Sequence, residues 1–135
     1  MTNQAKELTV QTVHDVTPQV VVEFTRKLLR LMEENKGGET TLNELRIMNQ
    51  IIICDLKDRC CSVTSLHKVT GISLPTVSRI VAHLQYMGWV CQRQDPDDGR
   101  KRIISLCADA RKQCRGETDS MVEWINEFRK HGLAD

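Results

Sequence analysis

The chain has 135 residues, 40% apolar and 27% charged, with a formal net charge of +1. That length suits one domain over residues 1–135 with a substantial core, and it is too short for two independent lobes. No apolar run approaches a membrane span, and MTNQAKELTV lacks the basic start and apolar centre of a signal peptide. A soluble, cytoplasmic protein without membrane contact is expected.

Near-neutrality argues against a polyanion partner only if the charge is evenly spread, and it is not. Residues 1–61 carry eight bases and nine acids, residues 62–106 six and three, and residues 107–135 five and six. The local field decides nucleic-acid binding, so the basic middle third keeps that class open. The six cysteines (Cys54, Cys60, Cys61, Cys91, Cys107, Cys114) lack the repeated spacing of a zinc site, and no export signal suggests a disulfide framework. Reduced thiols are expected.

Thr17-Pro18 starts a first helix: the hydroxyl caps orphan amides and the proline ring suits the first turn. Val20, Val21, Phe24, Leu28, Leu31 and Met32 recur at helical spacing until Gly37-Gly38 stops it near residue 36. Upstream, Val10, Val13 and Val16 either extend this helix or form an irregular arm. Thr41-Leu42-Asn43-Glu44 is a capping box that opens a second helix, with Leu45, Met48, Ile51, Ile52 and Leu56 as its buried stripe and the charged run Asp55 to Arg59 as its end.

Ser62 caps a short third helix, Val63 to Thr70, buried through Leu66 and Val69 and closed by Gly71, with Ile72 plugging the turn. Ser73 caps a fourth, in which Val77, Ile80, Val81 and Leu84 form one stripe at i, i+3, i+4 and i+7. Pro75 is tolerated there because it falls in the first turn. Two helices joined by so tight a glycine turn make a helix-turn-helix. Gly88 ends the second, and residues 89–93 and 102–106 read as paired strands around DPDDGRK, a hairpin wing. Met121, Trp124, Ile125 and Phe128 mark a final amphipathic helix, begun as early as residue 108 and bent at Gly116.

The run GISLPTVSRIVAHLQYMGWV followed by RQDPDDGRKRIISL resembles the winged-helix core of the MarR family of bacterial transcriptional regulators. The resemblance covers roughly Thr41 to Ala110. Its most specific part is the wing, where Asp98, Arg100, Ile103, Ile104 and Leu106 stand at the family's Asp-x-Arg, aliphatic-pair and leucine positions. Cys107 and Ala110 depart from the family's usual threonine and glycine. The 29 residues after Leu106 are few for the family's C-terminal pair of helices. The family's peroxide-sensing branch uses a cysteine in the N-terminal part, and here none precedes Cys54, so that chemistry does not carry over.

The resemblance implies a mainly α fold with a small β-hairpin wing, a winged helix-turn-helix lobe over 41–107 and dimerisation helices over 18–36 and 108–131. It implies a homodimeric regulator, such as a repressor, on a pseudo-palindromic site in double-stranded DNA, modulated by a small, often aromatic effector or by thiol oxidation. No cofactor or metal is implied. The dimer would join the apolar faces of the first helix (Val20, Val21, Phe24) and the last (Trp124, Ile125, Phe128) across a two-fold axis. The competing arrangement packs both stripes inside one monomer.

If the stripe of the fourth helix faces the core, 100° per residue turns Pro75, Arg79 and Ala82 outward with Thr76 and Ser78 on the flanks. Arg79 then suits a bidentate bond to a guanine edge, Pro75 and Thr76 suit thymine methyls, and Ser73 or Ser78 suits phosphate. Arg100 at the hairpin tip is the guanidinium for a narrow minor groove, with Asp98 expected to hold its fork in place, and Lys101 and Arg102 are flanking phosphate contacts. The plainer alternative leaves Ser73 a mere cap and Arg79 and the wing solvated.

Cys60 and Cys61 precede a helix N-terminus and follow Arg59, so local positive potential makes them candidates for a redox-responsive thiol, against the alternative of idle or core cysteines. A metal site from Cys54, Cys60, Cys61 and His67 is poorly spaced. His14, His67, His83 and His131 form no catalytic arrangement and no phosphate-cradling glycine loop occurs, so an enzyme is not expected. The rival function is a winged-helix adaptor that binds protein through the outward face of the fourth helix.

Overall fold

A computed structural model describes residues 14–36 and 40–133. Its elements run α1 (Pro18–Lys36), α2 (Leu42–Leu56), α3 (Val63–Thr70), α4 (Leu74–Tyr86), β1 (Val90–Gln94), β2 (Arg102–Leu106) and α5 (Ala108–His131). The fold is thus mainly helical with one two-stranded antiparallel hairpin. Contacts gather it into two compact units, one of Gly38–Arg115 and one of Met1–Gly37 with Gly116–Asp135. Among the described residues no helix is long and apolar enough to cross a membrane.

In the lobe Gly38–Arg115 the local signals act much as the residue types dictate. Thr41 accepts the Glu44 N–H at 3.1 Å. Ser62 and Ser65 form a reciprocal capping box, the Ser65 N–H reaching Ser62 Oγ at 3.1 Å and the Ser62 N–H reaching Ser65 Oγ at 2.8 Å. Both satisfy donors that a helix start leaves orphaned. Gly71 sits at φ +74° and its N–H reaches His67 O at 2.9 Å. A Cβ there would meet no atom within 4 Å, so the backbone angle alone calls for glycine. Ile72 fills the turn, 7% exposed.

Every residue of the expected α4 stripe is buried. Val77, Val81 and Leu84 meet Ile47, Met48 and Ile51 of α2, Leu66 of α3 and the inward wing residues Val90, Ile104 and Leu106 in one core. The hairpin pairs Val90 with Leu106 through Gln94 with Arg102. Cys61 adds an antiparallel bridge to its outer edge, with the Ile104 N–H donating to Cys61 O at 2.8 Å. Arg111 of α5 is tied to Asp55 at the end of α2 by Nε and Nη2 contacts of 2.8 Å, and Arg115 stands 3.8 Å from the same carboxylate.

Several expected burials are corrected. Ile47 is fully buried and Leu45 only partly, because α2 is apolar on more than one face and periodicity alone does not choose between them. Leu56 and Val69 are exposed, each in the last turn of its helix, where the core no longer faces them. Strand β1 begins at Val90, one residue after Trp89, and reaches Gln94 because the Asp95 N–H continues the ladder to Lys101 O at 2.8 Å.

In the other unit Thr17 caps α1, accepting the Val20 N–H at 3.3 Å. Val20 is buried, whereas Val21, Val22, Leu28 and Leu29 are exposed. The rings of Phe24 and Trp124 lie 6.1 Å apart, those of Trp124 and Phe128 stack at 6.2 Å, and the Lys27 ammonium stands 5.5 Å from the Trp124 ring centre. Val10, Val13 and the Gly37-Gly38 stop lie outside the described residues, as do the side chains of Leu31 and Met32. Helix α5 is one element through Gly116.

Candidate nucleic-acid interface

Burial of the α4 stripe leaves Ser73, Pro75, Ser78, Arg79 and Ala82 exposed and Thr76 half-buried. Ser73 holds the N-cap position without a side-chain cap bond. Its hydroxyl instead donates to Thr76 Oγ1 at 2.9 Å, so the expected capping bond is absent and the two hydroxyls form a pair at the head of the helix. Pro75 in the first turn removes an amide that had no helical acceptor to lose.

The wing turn is built by its acids acting on backbone. Asp95 Oδ1 accepts the Asp97 N–H at 2.9 Å, and Asp98 Oδ1 accepts the Arg100 N–H at 3.1 Å. The Lys101 N–H returns to Asp98 O at 3.0 Å, and the Gln94 side-chain amide donates to Gly99 O at 2.7 Å. Asp98 therefore closes an Asx turn and does not pair with the Arg100 guanidinium, contrary to the expected clamp. The physical reason is reach: a short carboxylate two residues before an amide meets that amide before it meets the end of a long side chain.

Ser62, Thr64 and Ser65 at the α3 start, Lys68 in its last turn, Ser78 and Val81 of α4, Gln92 of β1 and Asp98, Arg100, Lys101 and Arg102 of the wing line a cleft of about 640 Å³. Four cations face one carboxylate across it. None of the four makes an ion pair with another described residue. Gln92 is held against α4 by its amide donating to Gln85 Oε1 at 2.8 Å, which fixes the wing root to the helix. The basic excess of the sequence is thus concentrated on one concave surface, where its field adds up.

The expected site residues divide between two places. Ser78, Asp98, Arg100, Lys101 and Arg102 share this cleft. Arg79 lines a separate depression of about 400 Å³ with Thr41, Asn43, Glu44, Ile80 and His83, on another flank of α4. Ser73, Pro75 and Thr76 line neither. Lys68, Thr64 and Gln92 belong to the cleft and escaped sequence reasoning. The signal for Lys68 was its place in the basic segment, one turn beyond the Ser62-Ser65 box.

Cys60 is exposed and Cys61 is buried at 2% exposure. Burial pushes the Cys61 thiol well above its ordinary range, and the neighbouring Cys54 thiol raises it further. Burial therefore works against an activated Cys61 thiolate and leaves Cys60 as the exposed candidate of the two. Among the described residues no group of three His, Cys, Asp or Glu side chains is arranged to hold a metal ion.

Comparison with known proteins bears on this lobe. The MarR family model matches residues 52–101, from the second half of α2 to the wing. No curated protein sequence matches the chain. Among solved structures, the S. aureus MepR–DNA complex is similar with a TM-score of 0.63 at 16% identity, covering 81% of this chain and 83% of that one. A mutant E. coli MarR complexed with operator DNA gives 0.53 at 20% identity, with 86% and 81% covered. A probable transcriptional regulator from Pseudomonas aeruginosa gives 0.52 at 20% identity, with 85% and 83% covered. At these identities the likeness is one of fold, a winged helix with flanking helices.

Proposed function

We propose, from the premise that this chain carries a MarR-family winged-helix lobe, that it is a transcriptional regulator gripping double-stranded DNA with α4 and the wing. The observation that carries this is the cleft in which Lys68, Arg100, Lys101 and Arg102 meet Ser78 with no ion-pair partners among the described residues. Free cations on a concave surface gain most by replacing counterions along a phosphate backbone. The similar MepR and MarR structures, each a complex with DNA, support the same use of the fold.

On this account the exposed side of α4 enters the major groove. Arg79 reads a guanine edge, Pro75 and the Thr76 methyl touch apolar base edges, and Ser73 and Ser78 bond phosphate. Arg100 enters the adjacent minor groove, where negative potential attracts a guanidinium. Lys68, Lys101 and Arg102 hold the backbone.

The regulator acts as a homodimer on a pseudo-palindromic operator. On α1, Val20 is buried while Val21, Val22, Leu28 and Leu29 are exposed, and apolar side chains left on the surface of an amphipathic helix are covered favourably by a further partner. A second copy supplies it, and paired α4 helices then set half-sites about one helical turn apart. A cavity of about 560 Å³ lined by Val20, Phe24, Trp124 and Phe128 seats a small aromatic effector. Light scattering at micromolar concentration tests the dimer, and a monomer mass rejects it. Gel shift with duplex DNA tests the main proposal: affinity that falls steeply with salt supports it, and salt-insensitive or absent binding favours a protein adaptor.

A further inference from the structure

We infer that Cys91 and Cys107 form an oxidisable dithiol at the root of the wing, which a hydroperoxide converts into an intrachain disulfide. The strand register carries this. Cys91 lies opposite Ser105 on the face of the hairpin turned away from Val90 and Leu106, and the Cys107 N–H donates to Trp89 O at 3.0 Å, continuing the ladder one residue past β2. Residues two apart on a strand share a face, so Cys107 is the diagonal neighbour of Cys91. The two thiols also interact, Cys91 adding to the rise of the Cys107 thiol after burial.

Exposure separates this pair from the buried Cys61 and Cys114, and register separates it from the exposed Cys60, which lies outside the hairpin. Cys91 is exposed and Cys107 half-buried, whereas the Cys54 thiol neighbours Cys61, which no oxidant reaches from solvent. Diagonal strand neighbours stand about 7 to 8 Å apart and disulfides span roughly 4.4 to 6.8 Å between Cα atoms, so closure draws the strand ends together by roughly 1 Å. The end of a two-stranded ladder accommodates that more readily than its middle. The bond would join β1 to the residue before α5, one position from Gln92 on the wall of the cationic cleft.

The steps balance. Cys91 releases its thiol proton and its sulfur attacks a peroxide oxygen. The O–O bond breaks, and the leaving alkoxide takes up a proton to give an alcohol and a sulfenic acid on Cys91. The Cys107 sulfur then attacks the Cys91 sulfur, the S–O bond breaks, and the departing hydroxide leaves as water with the Cys107 proton. Two thiols and one hydroperoxide give one disulfide, one alcohol and one water, and with hydrogen peroxide the alcohol is a second water.

The experiment treats the reduced full chain with hydrogen peroxide, alkylates remaining thiols and maps peptides by mass spectrometry. The expected result is a Cys91–Cys107 linked peptide, two hydrogens lighter than the separate pair, in a chain that runs as a monomer on a non-reducing denaturing gel. C91S and C107S should each abolish that peptide while their urea unfolding midpoints stay close to the unsubstituted chain's. Recovery of both cysteines alkylated, or cross-links confined to other cysteines or to pairs of chains, overturns the inference. Either result leaves the DNA-binding proposal to its own salt test.

Discussion

The Asp98 carboxylate accepts the backbone N–H of Arg100 at 3.1 Å, and the Arg100 guanidinium has no ion-pair partner among the described residues. If the wing faces DNA as proposed, this bond explains the acid at its tip: it shapes the turn that carries the arginine, and its negative charge is the cost. An amide oxygen accepts the same bond without that charge. Asp98→Asn should therefore keep duplex affinity or raise it slightly, whereas Asp98→Ala, which removes the acceptor, should weaken binding by about 1 kcal/mol. Gel shift on both variants checks this, and equal losses would mean the carboxylate's charge is what matters.

Arg100 and Lys68 should fail differently. Arg100→Ala is expected to lose roughly 1 to 3 kcal/mol on a cognate operator and to relax preference for a narrow minor groove. Lys68→Ala should weaken all duplexes about equally and lower the salt slope by about 1. Affinity measured on cognate and random duplexes at several salt concentrations distinguishes the two.

Core burial sets a second contrast, in α2. Ile47 is fully buried and Leu56 is 52% exposed. Ile47→Ala should cost about 2 to 5 kcal/mol of stability and Leu56→Ala about 1 kcal/mol or less, read from urea unfolding. Reversed magnitudes would mean that the α2 face is misassigned.

Burial, with the Cys91 thiol as a smaller contributor, raises Cys107 from an ordinary 9.0 to about 11. A thiol raised on folding stabilises the fold while protonated. Its contribution is complete below pH 9.0 and is lost as pH climbs toward about 11, because the unfolded chain releases that proton first. The urea midpoint of the unsubstituted chain should fall more between pH 9 and 11 than that of Cys107→Ala. Parallel pH profiles would show that Cys107 does not titrate differently on folding.

What the sequence made legible was set by how local its causes are. The Ser62 cap, the left-handed Gly71, the Ile72 plug and the α4 stripe each depend on a few neighbouring residues, and all four appear as expected. The choice between Leu45 and Ile47 depends on what α2 packs against, which a helix apolar on two sides does not encode. The same limit hid Lys68 and Gln92, since the cleft exists only once α3 and the wing are brought together in space. Asp98 and Arg100 were visible as a pair, but which atom of Arg100 the carboxylate meets depends on the turn's geometry. For Cys61, the charge of Arg59 was readable and the burial that raises its thiol was not.

The most direct test of the account is fluorescence anisotropy of a labelled random-sequence duplex titrated with the full chain between roughly 50 and 200 mM salt, beside a quadruple variant with Lys68, Arg100, Lys101 and Arg102 each changed to Ala. The account predicts binding whose logarithm falls linearly and steeply with the logarithm of salt, and a variant that remains folded but loses most of both affinity and slope. Equal binding by the two proteins, or no binding by the unsubstituted chain even at the lowest salt, would contradict it.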